Sequence, residues 1–312
     1  MKVIGVTEFG GPEAFEIVEL PDPHAGPGEV RIRVHAATVN PTDTYTRNGA
    51  RAEMLRKDPP PYVPEMAAAG VLDEIGPGVS GDLAVGDHVM AIVIPHGSHG
   101  AYSELIVVPA ESVVRTPRGT SDVEASTLPM NALTARLALD LLALQPGLTL
   151  AVTGAAGCFG GYTIQLAKAD GLRVIADASP ADEALVRSLG ADVVVRRGPD
   201  VATRIREIVP GGVDGLADGS VQQAALLPAI RDGGALAAVR GFVGDTERGI
   251  AIHPVWVREY GREHAKLDRL RQQVEDGAIT LRVARTFTAA QAGEAHRILE
   301  AGGTRGRLVI QL

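Results

Sequence analysis

Up to about residue 121 the apolar positions fall in short runs that alternate with polar ones. Val30-Arg31-Ile32-Arg33-Val34 has the period of two of a half-buried strand. Gly86-Asp87-His88-Val89-Met90-Ala91-Ile92-Val93-Ile94 enters a second strand from a turn, and Tyr102 to Val108 predicts a third. Turn clusters such as Pro21-Asp22-Pro23 and Gly76-Pro77-Gly78 separate these runs. The pattern predicts a mostly β region, a small barrel or a folded sheet.

From residue 122 the period changes. Asp122 to Ala143 is Ala/Leu-rich and reads as helix, with Pro129 and Asn131 interrupting it. Leu148 to Val152 is a short apolar run, followed by a glycine turn and a helical Tyr162 to Ala169. A strand at Arg173-Val174-Ile175-Ala176, a helix over Ala181 to Leu189 and a strand at Asp192 to Val195 follow. This alternation is that of βαβ units, so an α/β fold with a doubly wound parallel sheet is expected. Leu236 to Val239 and Ile250 to Val257 extend the sheet.

Composition narrows the function classes. The 312 residues are 45% hydrophobic and carry a formal charge of -8 with no basic run, so nucleic acid is not an expected partner. No stretch approaches the roughly 20 apolar residues of a membrane helix, and the start lacks a signal-peptide pattern. The single Cys158 cannot form an internal disulfide. A cytoplasmic protein is expected.

The strongest chemical signal is Thr153-Gly154-Ala155-Ala156-Gly157-Cys158-Phe159-Gly160-Gly161, after a buried strand and opening a helix. Glycines there let the backbone turn sharply and approach a pyrophosphate, whose charge the free N–H groups of the helix start receive. Gly154, Ala156, Gly157, Phe159 and Gly160 are the expected dinucleotide contacts. Asp177, near the end of the next strand, favours NAD by accepting from a ribose hydroxyl. Ser179 and the Arg196-Arg197 pair favour NADP, since a guanidinium clamps a 2′-phosphate. These residues leave both cofactors open.

Taken together, several motifs resemble the medium-chain dehydrogenase/reductase superfamily, within it the zinc-free quinone oxidoreductases (the zeta-crystallin-like branch). They include Glu8-Phe9-Gly10-Gly11-Pro12-Glu13, Val39-Asn40-Pro41-Thr42-Asp43-Thr44-Tyr45, Gly86-Asp87-His88-Val89, the glycine turn, Leu189-Gly190-Ala191-Asp192 and Arg305-Gly306-Arg307-Leu308-Val309. The resemblance implies a GroES-like domain over 1–121, a Rossmann domain over 122–257, and a segment over 258–312 that returns to the first domain. It places the active site in the cleft between the domains. It implies reduction of a quinone or an α,β-unsaturated carbonyl, with NADP(H) favoured over NAD(H). Thr134, Gly241 and Phe242 would flank the nicotinamide, and Arg197 would supply the phosphate charge.

Zinc-dependent relatives carry a cysteine just after the strand ending near Asn40 and a histidine where this chain has Met66. Neither ligand is present, and His96 and His99 alone make a poor site, so no metal is expected. Zinc-free relatives carry an acid at the position of Ala67, which implies an altered substrate pocket. Asn40, Asp43 and Tyr45 lie on the segment expected to face substrate. Asn40 or Tyr45 would donate to the substrate oxygen, while Asp43 either takes part or pairs with Arg47 to hold the loop. Cys158 reads as a small buried side chain or as an oxidation-sensitive thiol. The apolar run Ile250 to Val257 is an expected edge strand, for which the resemblance implies a two-fold homodimer. A zinc-independent alcohol or ketone reductase and a catalytically decayed dinucleotide-binding protein are the alternatives.

Overall fold

The structure is a computed structural model that describes all 312 residues. The chain divides into two compact units. One comprises Met1–Met130, Arg258–Asp276 and Leu281–Leu312, the other Asn131–Val257 and Gly277–Thr280.

In the first unit, β1 (Lys2–Gly5) and β2 (Glu16–Glu19) form a two-stranded antiparallel sheet. The long β3 (Glu29–Thr38) buries Val30, Ile32 and Val34 and turns Arg31 and Arg33 outward, where both pair with Asp73. Its last residues, Ala36, Ala37 and Thr38, are buried on both faces. Two short helices follow, α1 (Pro41–Arg47) and α2 (Ala52–Leu55). Next come β4 (Ala67–Ile75), β5 (His88–Ile92), β6 (Leu105–Pro109) and β7 (Val113–Arg115). A Cβ on Gly70 of β4 would stand 2.0 Å from the Arg33 carbonyl oxygen, so only glycine allows β3 and β4 to approach so closely.

Ser121 and Glu124 cap each other at the start of α3 (Asp122–Ala125), and α4 runs over Pro129–Leu142. Pro129 therefore opens a helix instead of interrupting one, because the first turn has no N–H bond for it to remove.

The second unit continues with β8 (Thr149–Thr153), α5 (Cys158–Ala169), β9 (Arg173–Ala178), α6 (Glu183–Ser188), β10 (Val193–Arg196) and α7 (Val201–Ile208). Then come β11 (Val213–Asp218), β12 (Ile230–Val239) and β13 (Ala251–Val255). The six strands are all parallel in the order β10-β9-β8-β11-β12-β13, a doubly wound sheet whose order reverses beside β8. β13 is an edge strand that tolerates Pro254 because one side of it donates to no neighbour.

The chain then re-enters the first unit through α8 (His264–Glu275), β14 (Val283–Thr288), α9 (Ala292–Ala301) and β15 (Arg307–Gln311). β15 pairs antiparallel with β3 and completes a sheet of order β14-β15-β3-β4-β5-β7, with β6 also on β3. Phe287, Leu308 and Ile310 share one core with Val30, Ile32, Leu72 and Ile106. No helix is long and apolar enough to cross a membrane.

Candidate active site

The glycine turn joins β8 to α5 at the carboxyl end of the parallel sheet. Gly154 has φ +66, and a Cβ there would lie 2.8 Å from backbone atoms of Gly219. A Cβ on Gly160 would come 2.5 Å from the Gly154 carbonyl oxygen, so α5 packs directly onto the turn. Gly157 is the residue before the first helical turn, and its Cβ position meets only the Gly154 carbonyl, at 3.1 Å. This is a cradle kept free of side chains, with helix N–H groups at its floor. Thr153, Asp218 and Ser220 brace it: the Thr153 hydroxyl donates to Asp218 at 2.9 Å, and the Ser220 hydroxyl donates to both at 3.0 Å. Ala156 and Cys158 are buried, and the ring of Phe159 leans over Gly219.

The residues from which the sequence drew the two cofactor expectations gather at the ends of β9 and β10. Asp177 is buried, and its Oδ1 accepts from the Ala155 N–H at 3.0 Å. Its carboxylate is thereby tied to the turn itself. Burial pushes this carboxyl above its ordinary range, against the pull of the Ala155 N–H and the Arg197 charge. Arg197 is exposed, and its N–H donates to the Ala178 carbonyl at 2.8 Å, which fixes it beside the end of β9. The Ser179 hydroxyl donates to Asp182 at 2.5 Å. Gly241, with φ +85, follows the carboxyl end of β12, and Phe242 packs against the second unit's core. Thr134 is buried on α4.

The first unit places Asn40 and Asp43 differently from Tyr45. Asn40 is wholly buried, and its Nδ2 donates to Thr38 Oγ1 at 2.9 Å and to both Glu65 oxygens at 2.9 and 3.0 Å. Asp43 accepts from the Asn40 N–H at 2.7 Å and so caps α1. It does not pair with Arg47, as its loop-holding alternative had it. The buried Arg47 guanidinium reaches Glu300 instead, at 2.5 Å, because α1 points that side chain toward α9. Tyr45, half-buried, is the one of the three that is not enclosed, and Arg51 stacks 5.3 Å from its ring centroid.

Glu65 was missed in the sequence. It is fully buried with φ +82, accepts from the Thr38 hydroxyl at 2.6 Å and the Ala67 N–H at 2.9 Å, and shares Asn40 as a donor with Asp43. Burial, then the neighbouring Glu65 charge, pushes Asp43 well above the ordinary carboxylate range. Burial also raises Glu65. Both shifts favour the neutral form, so two negative charges side by side in this buried position are disfavoured. An acid thus lies two residues before Ala67, in contact with the Ala67 N–H. The signal was present, a single charge in the otherwise apolar lead into β4. Deeper in the same unit, Tyr102 Oη meets His296 Nε2 at 3.3 Å.

A parallel dinucleotide sheet joined to a β unit of this topology defines a nicotinamide-dependent dehydrogenase or reductase as the class. Family models for the alcohol dehydrogenase GroES-like domain and for zinc-binding dehydrogenases match residues 26–118 and 189–310. The 2-haloacrylate reductase of a Burkholderia species is 30% identical, with 96% of each chain covered. A quinone oxidoreductase of Pseudomonas aeruginosa is 30% identical over 99% of each chain. Among solved structures, an NAD-dependent alcohol dehydrogenase superposes with TM-score 0.87 at 29% identity, and a mycobacterial protein complexed with NADPH with TM-score 0.86 at 30%, each covering 100% of both chains. The chain belongs to the medium-chain dehydrogenase/reductase superfamily.

Proposed function

We propose that the protein is a zinc-independent, NADPH-dependent reductase of quinones or α,β-unsaturated carbonyl compounds. The observation that supports the cofactor choice is the contrast between Asp177 and Arg197 at the ends of neighbouring strands. The Asp177 carboxylate is occupied by the Ala155 N–H, while Arg197, exposed and held by its backbone beside the end of β9, would receive a 2′-phosphate. The cradle at Gly154, Gly157 and Gly160 fits a pyrophosphate, and Thr134, Gly241 and Phe242 would hold the nicotinamide end. Two quinone or acrylate reductases among the relatives support the substrate class, since both of their substrates are unsaturated carbonyl compounds.

The donor set speaks for zinc independence. No three His, Cys, Asp or Glu side chains converge as metal ligands, and the Glu65 oxygens are committed to Thr38, Asn40 and Ala67.

A nicotinamide dinucleotide held along the glycine turn would supply the hydride for an unsaturated carbonyl or a quinone. Tyr45 then hydrogen-bonds the substrate oxygen as negative charge develops on it, and a proton from water completes the reduction. Asn40, Asp43 and Glu65 hold α1, and with it Tyr45, in place. β13 serves as the contact edge of a homodimer.

Calorimetric binding of NADPH and NADH, with Arg197→Ala alongside, tests the cofactor choice, and cofactor oxidation with a quinone and enone panel tests the reaction. NADPH preference lost in the variant, with turnover that survives chelation, is expected. Preference for NADH, or turnover of saturated alcohols alone, overturns the proposal.

A further inference from the structure

Six non-glycine residues of the chain have positive φ, and two of them, Val221 at +59 and Gln223 at +54, lie in the loop after β11. A β-branched residue in the left-handed region is strained and persists only where its surroundings over-determine it. Asp218, which ends β11 and is wholly buried, does so here. Its Oδ1 accepts from the Ser220 N–H at 3.0 Å and from the Thr153 hydroxyl, and its Oδ2 accepts from the Gln223 N–H at 2.8 Å. One carboxylate thus turns the chain back on itself and fixes where the Gln223 side chain starts. That side chain reaches out of the loop: its Oε1 accepts from the Val243 N–H at 3.1 Å, in the segment 241–243 that follows β12. Val243 is 78% exposed, so burial of its side chain does not hold this segment. A single exposed hydrogen bond returns no more stability than two left-handed residues cost. Stability therefore does not account for the shape of the loop, whereas the aim of the Gln223 amide does.

We infer that Gln223 is a positioning residue for the nicotinamide half of the cofactor: aimed by Asp218, its amide holds the 241–243 backbone in the form that receives the ring. The inference rests on the proposed assignment of Gly241 and Phe242 to the nicotinamide end, and goes beyond it by naming what sets their backbone. Strands β8, β11 and β12 are neighbours in the sheet, so the glycine turn, the Asp218 loop and the segment 241–243 leave adjacent strand ends. Asp218 ties the first two together through Thr153, and Gln223 carries the connection to the third. Gly241, at φ +85, gives that segment little stiffness of its own, and a bond fixed before the cofactor arrives reduces the ordering that binding requires.

Calorimetry with NADPH and with 2′-phospho-ADP-ribose, which lacks the nicotinamide, separates the two halves of the site. Gln223→Gly removes only the side chain, since glycine takes the left-handed conformation freely and its N–H still reaches Asp218. The wild type binds NADPH more tightly than the fragment. In Gln223→Gly this ratio falls roughly 10-fold while the affinity for the fragment stays unchanged, as expected for one lost hydrogen bond. Gln223→Asn, which also favours positive φ but ends one methylene short, gives the same result independently. Gln223→Glu keeps an acceptor and restores most of the ratio. Gln222→Ala, which removes an amide that bonds Ser220 in the same loop, leaves the ratio unchanged. A ratio unchanged in Gln223→Gly overturns the inference and leaves the cofactor reading standing. So do an equal loss for both ligands, which marks a merely structural residue, and a wild type that binds both equally. A wild type that favours NADH overturns the cofactor choice instead, and the same ratio for NADH and ADP-ribose then decides the inference. Binding of neither dinucleotide overturns both.

Discussion

Burial holds the His296 imidazole neutral, with a pKa lowered from 6.5 to about 3, and the charge of Arg47 adds to the effect. Its Nδ1 has no partner, and the Phe15 ring covers it at a centroid distance of 4.5 Å. The unfolded chain binds a proton there below about pH 6.5, while the folded chain refuses it until about pH 3. Stability is therefore insensitive to this group above the window and is lost as pH falls through it. From about pH 7.5 to about pH 5 the loss amounts to about 2 kcal/mol. His99, also lowered by burial, adds to the same slope, so the measurement compares variants instead of absolute values. His296→Gln keeps a group able to bond Tyr102 and removes the titration. Urea unfolding of both proteins at the two pH values, followed by far-ultraviolet circular dichroism, gives the four free energies. The variant should lose about 2 kcal/mol less than the wild type over the interval. Parallel losses within about 0.5 kcal/mol would refute the argument, as would titration of the His296 ring by NMR near pH 6.

Three further outcomes are expected. Gly154→Ala forces a Cβ against the Gly219 backbone at a left-handed position, and should weaken cofactor binding by more than about 10-fold while the protein still folds. Glu65→Ala leaves the Asn40 amide and the Thr38 hydroxyl without their acceptor in a buried site, and should cost about 2–4 kcal/mol, read as a lowered Tm. Tyr45→Phe should lower kcat on enones by about 10-fold or more with little change in cofactor affinity, and unchanged turnover would remove its assigned role.

The dinucleotide half was legible because its signals are local. A strand, a glycine turn and a helix within about twenty residues specify Gly154, Gly157 and Gly160 without any distant partner. The edge strand near Ile250 was likewise read from one apolar run, and the structure has β13 there. What sequence reasoning missed depends on contacts between remote positions. Arg47 finds Glu300 rather than Asp43, because α9 brings a residue from the far end of the chain to α1. No spacing rule anticipates such pairs. Glu65 escaped for another reason. A charged residue with positive φ is uncommon, and the motif drew attention to position 67, where the acid was absent, instead of the strained position that carries it.

The pairing of β15 with β3 also bears on the order of assembly during synthesis. Val309 sits opposite Thr38, so the first sheet lacks a central neighbour until the residues of β15 have been made. The stretch from Asn131 to Val257, by contrast, contains every strand of its own sheet. The nucleotide half can thus fold while the N-terminal strands, emerging earlier, wait with an open edge on β3. The β3 edge, made early, is covered only when β15 follows, about 270 residues later.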